Sequence, residues 1–324
     1  MLNIAIIGCG LIGRKRSFAA QSLGLRVSYC YDIVIDNAKK LAFDLNTKYI
    51  DDVEDIFKDQ SIDAVFISTT HNSLSELTIK SLEANKHVLV EKPAGVNIQE
   101  LVRIKDLATT KKLWVKVGYN YRFHPAILKA KEIISQNGIG ELLYIRGRHG
   151  HGARLGYEKE WRCNKSLSGG GELLDQGSHL IDLSNVFLKD LNVKFSSAQT
   201  LFWDINVEDN CFLALQNDKK QTAWLHVSWT EWKNLFSFEI FGQEGKIDIN
   251  GLGGSYGVEK LSFYKMTENM GPPETTIWEY PQKDVSWDKE IEEFFTAIKN
   301  NKKPDGDIED ALHSWEIINE VYKL

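Results

Sequence analysis

The chain has 324 residues, 43% hydrophobic and 26% charged, with a formal net charge of −6. That length leaves room for two domains with sizeable cores. The acidic balance speaks against nucleic acid or an anionic membrane as the main partner, and no apolar run reaches the length of a bilayer span.

The opening run Leu2–Ile7 lacks a basic flank and enters glycines directly, so it reads as a parallel strand buried on both faces and not as a secretion signal. It leads into Gly8-Cys9-Gly10-Leu11-Ile12-Gly13, a GxGxxG between a strand and a helix. Gly8 makes the tight turn, Gly10 admits a pyrophosphate, and Gly13 allows close helix–strand packing. Leu11 and Ile12 stand at the helix N-terminus, whose partial positive charge suits phosphate. A second strand, Arg26–Tyr31, ends at Asp32, 22 residues after Gly10, where a ribose-binding carboxylate is expected; a strand-end Asp capping its own turn is the structural alternative. Asp32 accepts from a 2′-hydroxyl and repels a 2′-phosphate, and Ile33-Val34-Ile35 brings no cation, so NAD is expected over NADP. Arg14, Lys15 and Arg16 read as a solvated helix face.

The strand–helix rhythm continues. Ala64–Thr70 is a strand ending in small polar residues, where ligands collect in open α/β sheets. His87–Val90 stops at Glu91-Lys92-Pro93, Asn97 and Glu100 form a capping box, and Trp114–Val117 leads to Asn120 and Arg122. Thr69, Glu91 and Asn120 are further cofactor candidates at these strand ends. Lys92, extended before its proline and at the rim of a buried strand, is placed either to meet substrate or to be a surface lysine in a loop.

Arg146, Arg148, His149, His151, Arg154 and Arg162 crowd the segment from Leu142 to Arg162, with Tyr157 and Trp161 interleaved. A charge run is usually a solvated edge; here the guanidinium excess predicts an anionic substrate held by Arg122, Arg148, Arg154, Tyr157 and Arg162. Gly169–Asp182 follows, read as a helix entered through three glycines. Asp175 and His179 are four residues apart on one face, so a carboxylate can orient an imidazole; a surface Asp beside a satisfied His is the alternative. From Val193 the pattern turns to β-rich runs, with hairpin turns at Asn217–Lys220 and Gly242–Gly245 and many aromatics, Trp224, Trp229, Trp232, Phe236 and Phe238 among them. They suggest a sheet face covered by a partner, or packing against the domain's own helices. Gly251–Gly257 has no GK[ST] and no helix after it, and reads as a flexible loop. Two amphipathic stripes close the chain, one on Trp287, Ile291, Phe294, Phe295 and Ile298, the other on Ile308, Leu312, Trp315 and Ile318.

GCGLIG at 8–13, EKP at 91–93, GYNYRF at 118–123 and GGGELLDQGSHLIDL at 169–183 together resemble the Gfo/Idh/MocA family of oxidoreductases. The resemblance implies a Rossmann domain, a second domain whose open sheet often serves oligomerisation, and hydride transfer between nicotinamide and a sugar, polyol or related carbonyl. It puts the family's catalytic lysine, aspartate and histidine on Lys92, Asp175 and His179. One departure is Thr70-His71-Asn72, where the family usually has proline after Ser68-Thr69.

The expectation is therefore an α/β chain in two domains. Residues 1–120 form an NAD-binding Rossmann domain, and residues 121–324 form an α+β domain for substrate binding and oligomerisation, with a large, mostly antiparallel sheet. The function expected is NAD-dependent oxidation or reduction at a sugar hydroxyl or keto carbon of an anionic derivative: a nucleotide sugar, a sugar phosphate or a uronate. His179, oriented by Asp175, moves the proton while Lys92 polarises the oxygen or carries the proton itself. No metal site is expected, and the four cysteines lack metal spacing and read as reduced thiols of a cytoplasmic protein, a homodimer or homotetramer. The alternatives are an NAD-dependent glycosidase acting by transient oxidation, a sugar-to-sugar oxidoreductase that retains its cofactor, and a non-catalytic NAD-binding sensor. A sensor has no use for the acid–base groups.

Overall fold

The computed structural model describes residues 2–323. They divide into two compact units. One runs to Tyr119 and takes in Ser166–Gly169 and Trp287–Trp315; the other comprises Asn120–Lys165, Gly170–Ser286 and the chain from Glu316 onward.

The chain begins as alternating strands and helices: β1 (Asn3–Ile7), α1 (Leu11–Ser22), β2 (Arg26–Tyr31), α2 (Ile35–Leu45), β3 (Lys48–Tyr49), α3 (Glu54–Lys58), β4 (Ala64–Ile67), α4 (His71–Glu83), β5 (His87–Val90), α5 (Ile98–Lys111) and β6 (Val115–Val117). There follow α6 (Pro125–Ser135), β7 (Leu142–Gly150), α7 (Lys165–Ser168), α8 (Ser178–Leu188), β8 (Asn192–Gln199), β9 (Asn210–Gln216), β10 (Thr222–Ser228), β11 (Leu235–Gly242), β12 (Gly245–Asn250), β13 (Glu259–Lys265) and β14 (Glu274–Tyr280). Helices α9 (Ser286–Lys299) and α10 (Ile308–Val321) close the chain.

In the first unit six parallel strands lie in the order β3-β2-β1-β4-β5-β6, the doubly wound dinucleotide-binding topology. The central strands β1, β4 and β5 are buried almost throughout, which is why they are written as unbroken apolar runs. Asn97 caps α5 as expected, accepting from the Glu100 amide at 3.0 Å, while the Glu100 carboxylate reaches one residue past the cap and accepts from the Val96 amide at 2.9 Å. The expected second domain, residues 121–324, includes Trp287–Trp315. The α9 stripe instead joins the first unit's core, where Ile291, Phe294 and Phe295 pack with Ile4, Ile6, Phe66 and Leu89. A parallel sheet must be covered on both faces, and this late helix supplies part of that cover.

The second unit is built on an eight-stranded sheet, order β14-β13-β12-β11-β7-β10-β9-β8. Every neighbouring pair is antiparallel except β7 with β10. The turn at Asn217 forms as read, its side-chain oxygen accepting from the amides of Lys219 and Gln221 at 3.1 Å each. Strands β13 and β14 carried no sequence expectation. Strict alternation sorts the residues: Ile145, Gly147 and His149 of β7 are buried, whereas Tyr144, Arg146 and Arg148 are exposed. Leu225, Val227, Phe236, Phe238 and Ile240 share the buried face, where Gly147 lets Leu180 of α8 approach.

Arg16, on α1, is fully buried and donates from Nε to Glu91 at 2.6 Å and from Nη1 to Glu290 of α9 at 2.5 Å. Burial works against its charge, and the two carboxylates outweigh burial, so its pKa lies above the ordinary arginine value. Replacing Glu290 by Ala should cost about 3–5 kcal/mol in denaturant unfolding, as stranding one partner of a buried pair does. A loss below about 1 kcal/mol would mean that the pair does not hold these elements together.

Candidate active site

In the first unit the glycine loop has the geometry that close ligand approach requires. Gly8 has φ +91°, and a Cβ there would press against the Ser68 carbonyl; a Cβ on Gly13 would strike the Gly8 carbonyl. At Gly10 a Cβ would meet no atom within 4 Å, so this loop backbone faces open space, as a dinucleotide cradle needs. Leu11, largely exposed, and Ile12 begin α1 beside it. Asp32 closes the end of β2: its Oδ2 accepts from the Cys9 amide at 2.7 Å and its Oδ1 from the Val34 amide at 2.8 Å. The carboxylate is thus rigidly aimed, with lone pairs remaining for a ribose hydroxyl. Thr69 sits at the end of β4, where its hydroxyl accepts from Ser73 at 2.8 Å. His71, at the family's proline departure, is buried and donates from Nδ1 to the Ser168 carbonyl at 2.8 Å.

The triplet Glu91-Lys92-Pro93 follows β5 and is pinned on both sides of the half-buried Lys92. Glu91 is held by Arg16 at 2.6 Å, and the Trp315 indole donates to the Pro93 carbonyl at 2.9 Å. This corrects one expectation: Arg16 is buried, not part of a solvated helix face, and Glu91 is its ion-pair partner. Arg14 does stay near solvent, paired with Asp44 at 2.6 Å.

In the second unit, Gly170 and Gly171 lead into a π-helical turn, Leu173–Gly177, which passes directly into α8. The glycines admit other parts of this unit: a Cβ on Gly170 would strike the Tyr322 hydroxyl, and one on Gly171 the Glu208 carbonyl. Glu208 Oε1 accepts from the Gly171 amide at 3.0 Å, the Leu173 amide at 3.1 Å and the Tyr322 hydroxyl at 2.8 Å. Asp175 lies in the π turn and His179 in the first turn of α8, both buried. Arg162 donates from Nε to Asp175 Oδ2 at 2.9 Å, which raises the guanidinium pKa further, and stacks on Trp161 at 4.6 Å. His179 lies flat on Tyr121, ring centroids 3.8 Å apart at 7°. Around them stand His151, its pKa lowered by burial, and Tyr157 and Tyr256, both raised by burial and by the charges of Asp175 and Glu172.

The arginines of Leu142 to Arg162 do not converge. Arg146 and Arg148 point to the exposed face of the sheet, Arg146 onto Glu239 at 2.9 Å and Arg148 beside His226. Arg154 pairs with Glu160, and Arg162 with Asp175. Arg122 is buried with its fork on Asp182, Nε at 2.8 Å and Nη2 at 2.6 Å, and the buried Asn120 donates to Ser286 at 3.0 Å; both act as struts of the second unit. Tyr157 belongs to an aromatic cluster with Trp203 and Trp229. The physical reason is the strand itself: a two-residue period sends Arg146 and Arg148 to one face and His149 to the other. Read that way, the sequence would have separated them.

Glu172, Tyr121, His149 and Tyr256 carried no expectation of their own. Tyr121 lay inside the quoted GYNYRF stretch; nothing in the sequence ties Tyr256 to it. Among the described residues, no group of three or more His, Cys, Asp or Glu could hold a metal ion, and no helix is long and apolar enough to cross a membrane.

Known proteins share this construction. The profile of an oxidoreductase family with an NAD-binding Rossmann fold matches residues 2–119, and that of the GFO/IDH/MocA C-terminal domain matches residues 127–248. Levoglucosan dehydrogenase of Pseudarthrobacter phenanthrenivorans is 29% identical over 206 residues, covering 59% of this chain and 52% of its own. Glucose-6-phosphate 3-dehydrogenase of Bacillus subtilis is 28% identical over 186 residues, 56% of this chain and 53% of its own. The chain thus spans about half the length of the curated relatives it matches. A solved levoglucosan dehydrogenase, in complex with NADH and L-sorbose, superposes with TM-score 0.90 at 21% identity over 99% of this chain and 96% of that one, a likeness of fold. With both profiles matched in order, the chain belongs to the GFO/IDH/MocA oxidoreductase family, and its first unit is that family's NAD-binding Rossmann fold.

Proposed function

We propose that the chain is an NAD-dependent dehydrogenase acting on a hydroxyl carbon of a sugar or polyol, or on the corresponding ketone. Bound NAD supplies the hydride acceptor. The observation that carries the reading is the buried pair on the glycine-entered helix: Asp175 anchored by Arg162, and His179 held flat on Tyr121 one turn later. In this reading His179 takes the hydroxyl proton and Asp175 with its arginine supplies the fixed charge that favours the resulting imidazolium, with Lys92 the second candidate for the proton. Relatives named for levoglucosan, glucose 6-phosphate and inositol support a sugar or polyol as substrate.

The substrate's charge follows from the arginines. With Arg122, Arg154 and Arg162 engaged by carboxylates and Arg148 on the exposed sheet face, the arginines no longer argue for an anionic substrate, and a neutral sugar or polyol is the simpler fit. The test is an NAD-reduction screen over levoglucosan, myo-inositol, D-glucose, glucose 6-phosphate, UDP-glucose and glucuronate. The neutral compounds should give the higher kcat/KM; a preference for the charged ones would restore the anionic reading. With the best of them, His179→Ala should cost about a hundredfold or more in turnover while NAD affinity holds. Normal turnover in that variant would move the proton to Lys92.

Asp32, with the apolar Ile33 and Val34 after it and Arg14 occupied by Asp44, supports NAD over NADP. Titration should show NAD bound much the tighter, with the gap narrowed in Asp32→Ser. Equal affinities in the parent protein would remove Asp32 from the ribose.

The exposed sheet face carries Trp224, Phe195 and Ile277, each at least half exposed, together with Tyr144. We infer that a second copy of the chain covers it. Light scattering should then give at least twice the 36.9 kDa of one chain. A monomer at micromolar concentration that Trp224→Glu leaves unchanged would rule this out.

A further inference from the structure

We propose that Tyr121 is the positioning residue for His179, with His149 holding it in place; the proposal rests on His179 being the proton acceptor. Tyr121 lies in a 3₁₀ turn, Asn120–Phe123, whose neighbours on both sides are tied down, Asn120 to Ser286 and Arg122 to Asp182. Its ring is boxed by edge contacts from Phe236 at 5.8 Å and His124 at 5.6 Å, and its face carries the His179 imidazole. The phenol oxygen is clamped as well. His149, fully buried, presents Nδ1 to the Leu235 carbonyl at 3.2 Å, and a carbonyl only accepts. Nδ1 therefore carries the proton and Nε2 is the acceptor, so the Tyr121 hydroxyl donates to it at 2.8 Å. Tyr256, carried on the loop Gly251–Gly257, stands edge-on against the His149 ring, centroids 4.7 Å apart, and so backs the residue that holds the phenol oxygen.

The plane of His179 thus follows a ring held at its hydroxyl and at two edges. An imidazole that must meet a substrate hydroxyl in line gains from that restraint, because small misplacements of a reacting group cost rate more than binding. The electron-rich ring face also favours the imidazolium that forms once the proton has moved. This separates Tyr121 from an ordinary core aromatic: a core residue would change stability, whereas this one changes kcat.

The test uses the full chain with NAD and the fastest sugar of the screen. Tyr121→Leu, which removes the stack, should lower kcat on the order of tenfold or more, with KM for the sugar and Kd for NAD within about twofold of the parent. Tyr121→Phe, which keeps the ring and loses the clamp, should restore most of kcat. In histidine-labelled protein, the His179 ring signals, identified by their absence in His179→Ala, should stand upfield in the parent and in Tyr121→Phe through the ring current. Unchanged kcat in Tyr121→Leu beside a crippled His179→Ala would overturn the positioning role alone. An unshifted His179 signal in the folded parent would overturn it too, even if Tyr121→Leu does not fold. Normal turnover in His179→Ala would end both readings, and the ring shift would still be present to tell the two failures apart.

Discussion

The first unit depends on one buried charge, the guanidinium of Arg16. Removed from water, it is tolerated only because Glu91 and Glu290 meet it at 2.6 and 2.5 Å. That requirement joins three distant pieces of chain: α1, which begins at the glycine loop; the turn after β5, which bears Lys92; and α9, which fills out the core of the parallel sheet. The Trp315 indole on the Pro93 carbonyl fixes the other side of Lys92. Lys116 repeats the device one strand further on, fully buried, with Glu293 of the same helix at 2.6 Å. The lysine and the dinucleotide loop therefore share one rigid support, and α9 belongs to that support by electrostatics as much as by its apolar stripe.

The second unit solves a different problem, the entry to α8. A π turn displaces the backbone ladder and leaves amides in need of acceptors. The Glu208 carboxylate takes those of Gly171 and Leu173, and the glycines let the Glu208 backbone and Tyr322 come close enough to do so. Burial raises the Glu208 pKa, while these donors and the Tyr322 hydroxyl favour its charged form. The wide turn and the first turn of α8 then carry Asp175 and His179, with Arg162 anchoring the one and Tyr121 the other. Gly170 and Gly171 thus make room for protein.

Much of the site was legible because its signals are local. GxGxxG between strand and helix, an acid 22 residues on, a lysine before proline at a strand end, and an acid and imidazole four apart all read directly from neighbouring residues. The arginine-rich segment misled for the same reason. Crowding along the chain looked like crowding in space, but a strand sends consecutive side chains to opposite faces, and most of these guanidiniums found carboxylates. Strands β13 and β14 escaped notice because their half-exposed residues follow no clean alternation of apolar and polar.

The sequence by itself determined the Rossmann half, the place of its dinucleotide loop, and the residue types that could move a proton. Those follow from short spacings and from the two-residue and 3.6-residue periods of strand and helix. Only the tertiary structure decided which charges were spent in holding the fold. Arg16 meets Glu290 across 274 residues, Arg122 meets Asp182 across 60, and the Tyr121 hydroxyl meets His149 across 28. No local pattern encodes such partners, because a buried charge or hydroxyl is satisfied by whatever the packed chain brings within reach, and the chain brings residues together by topology and not by order.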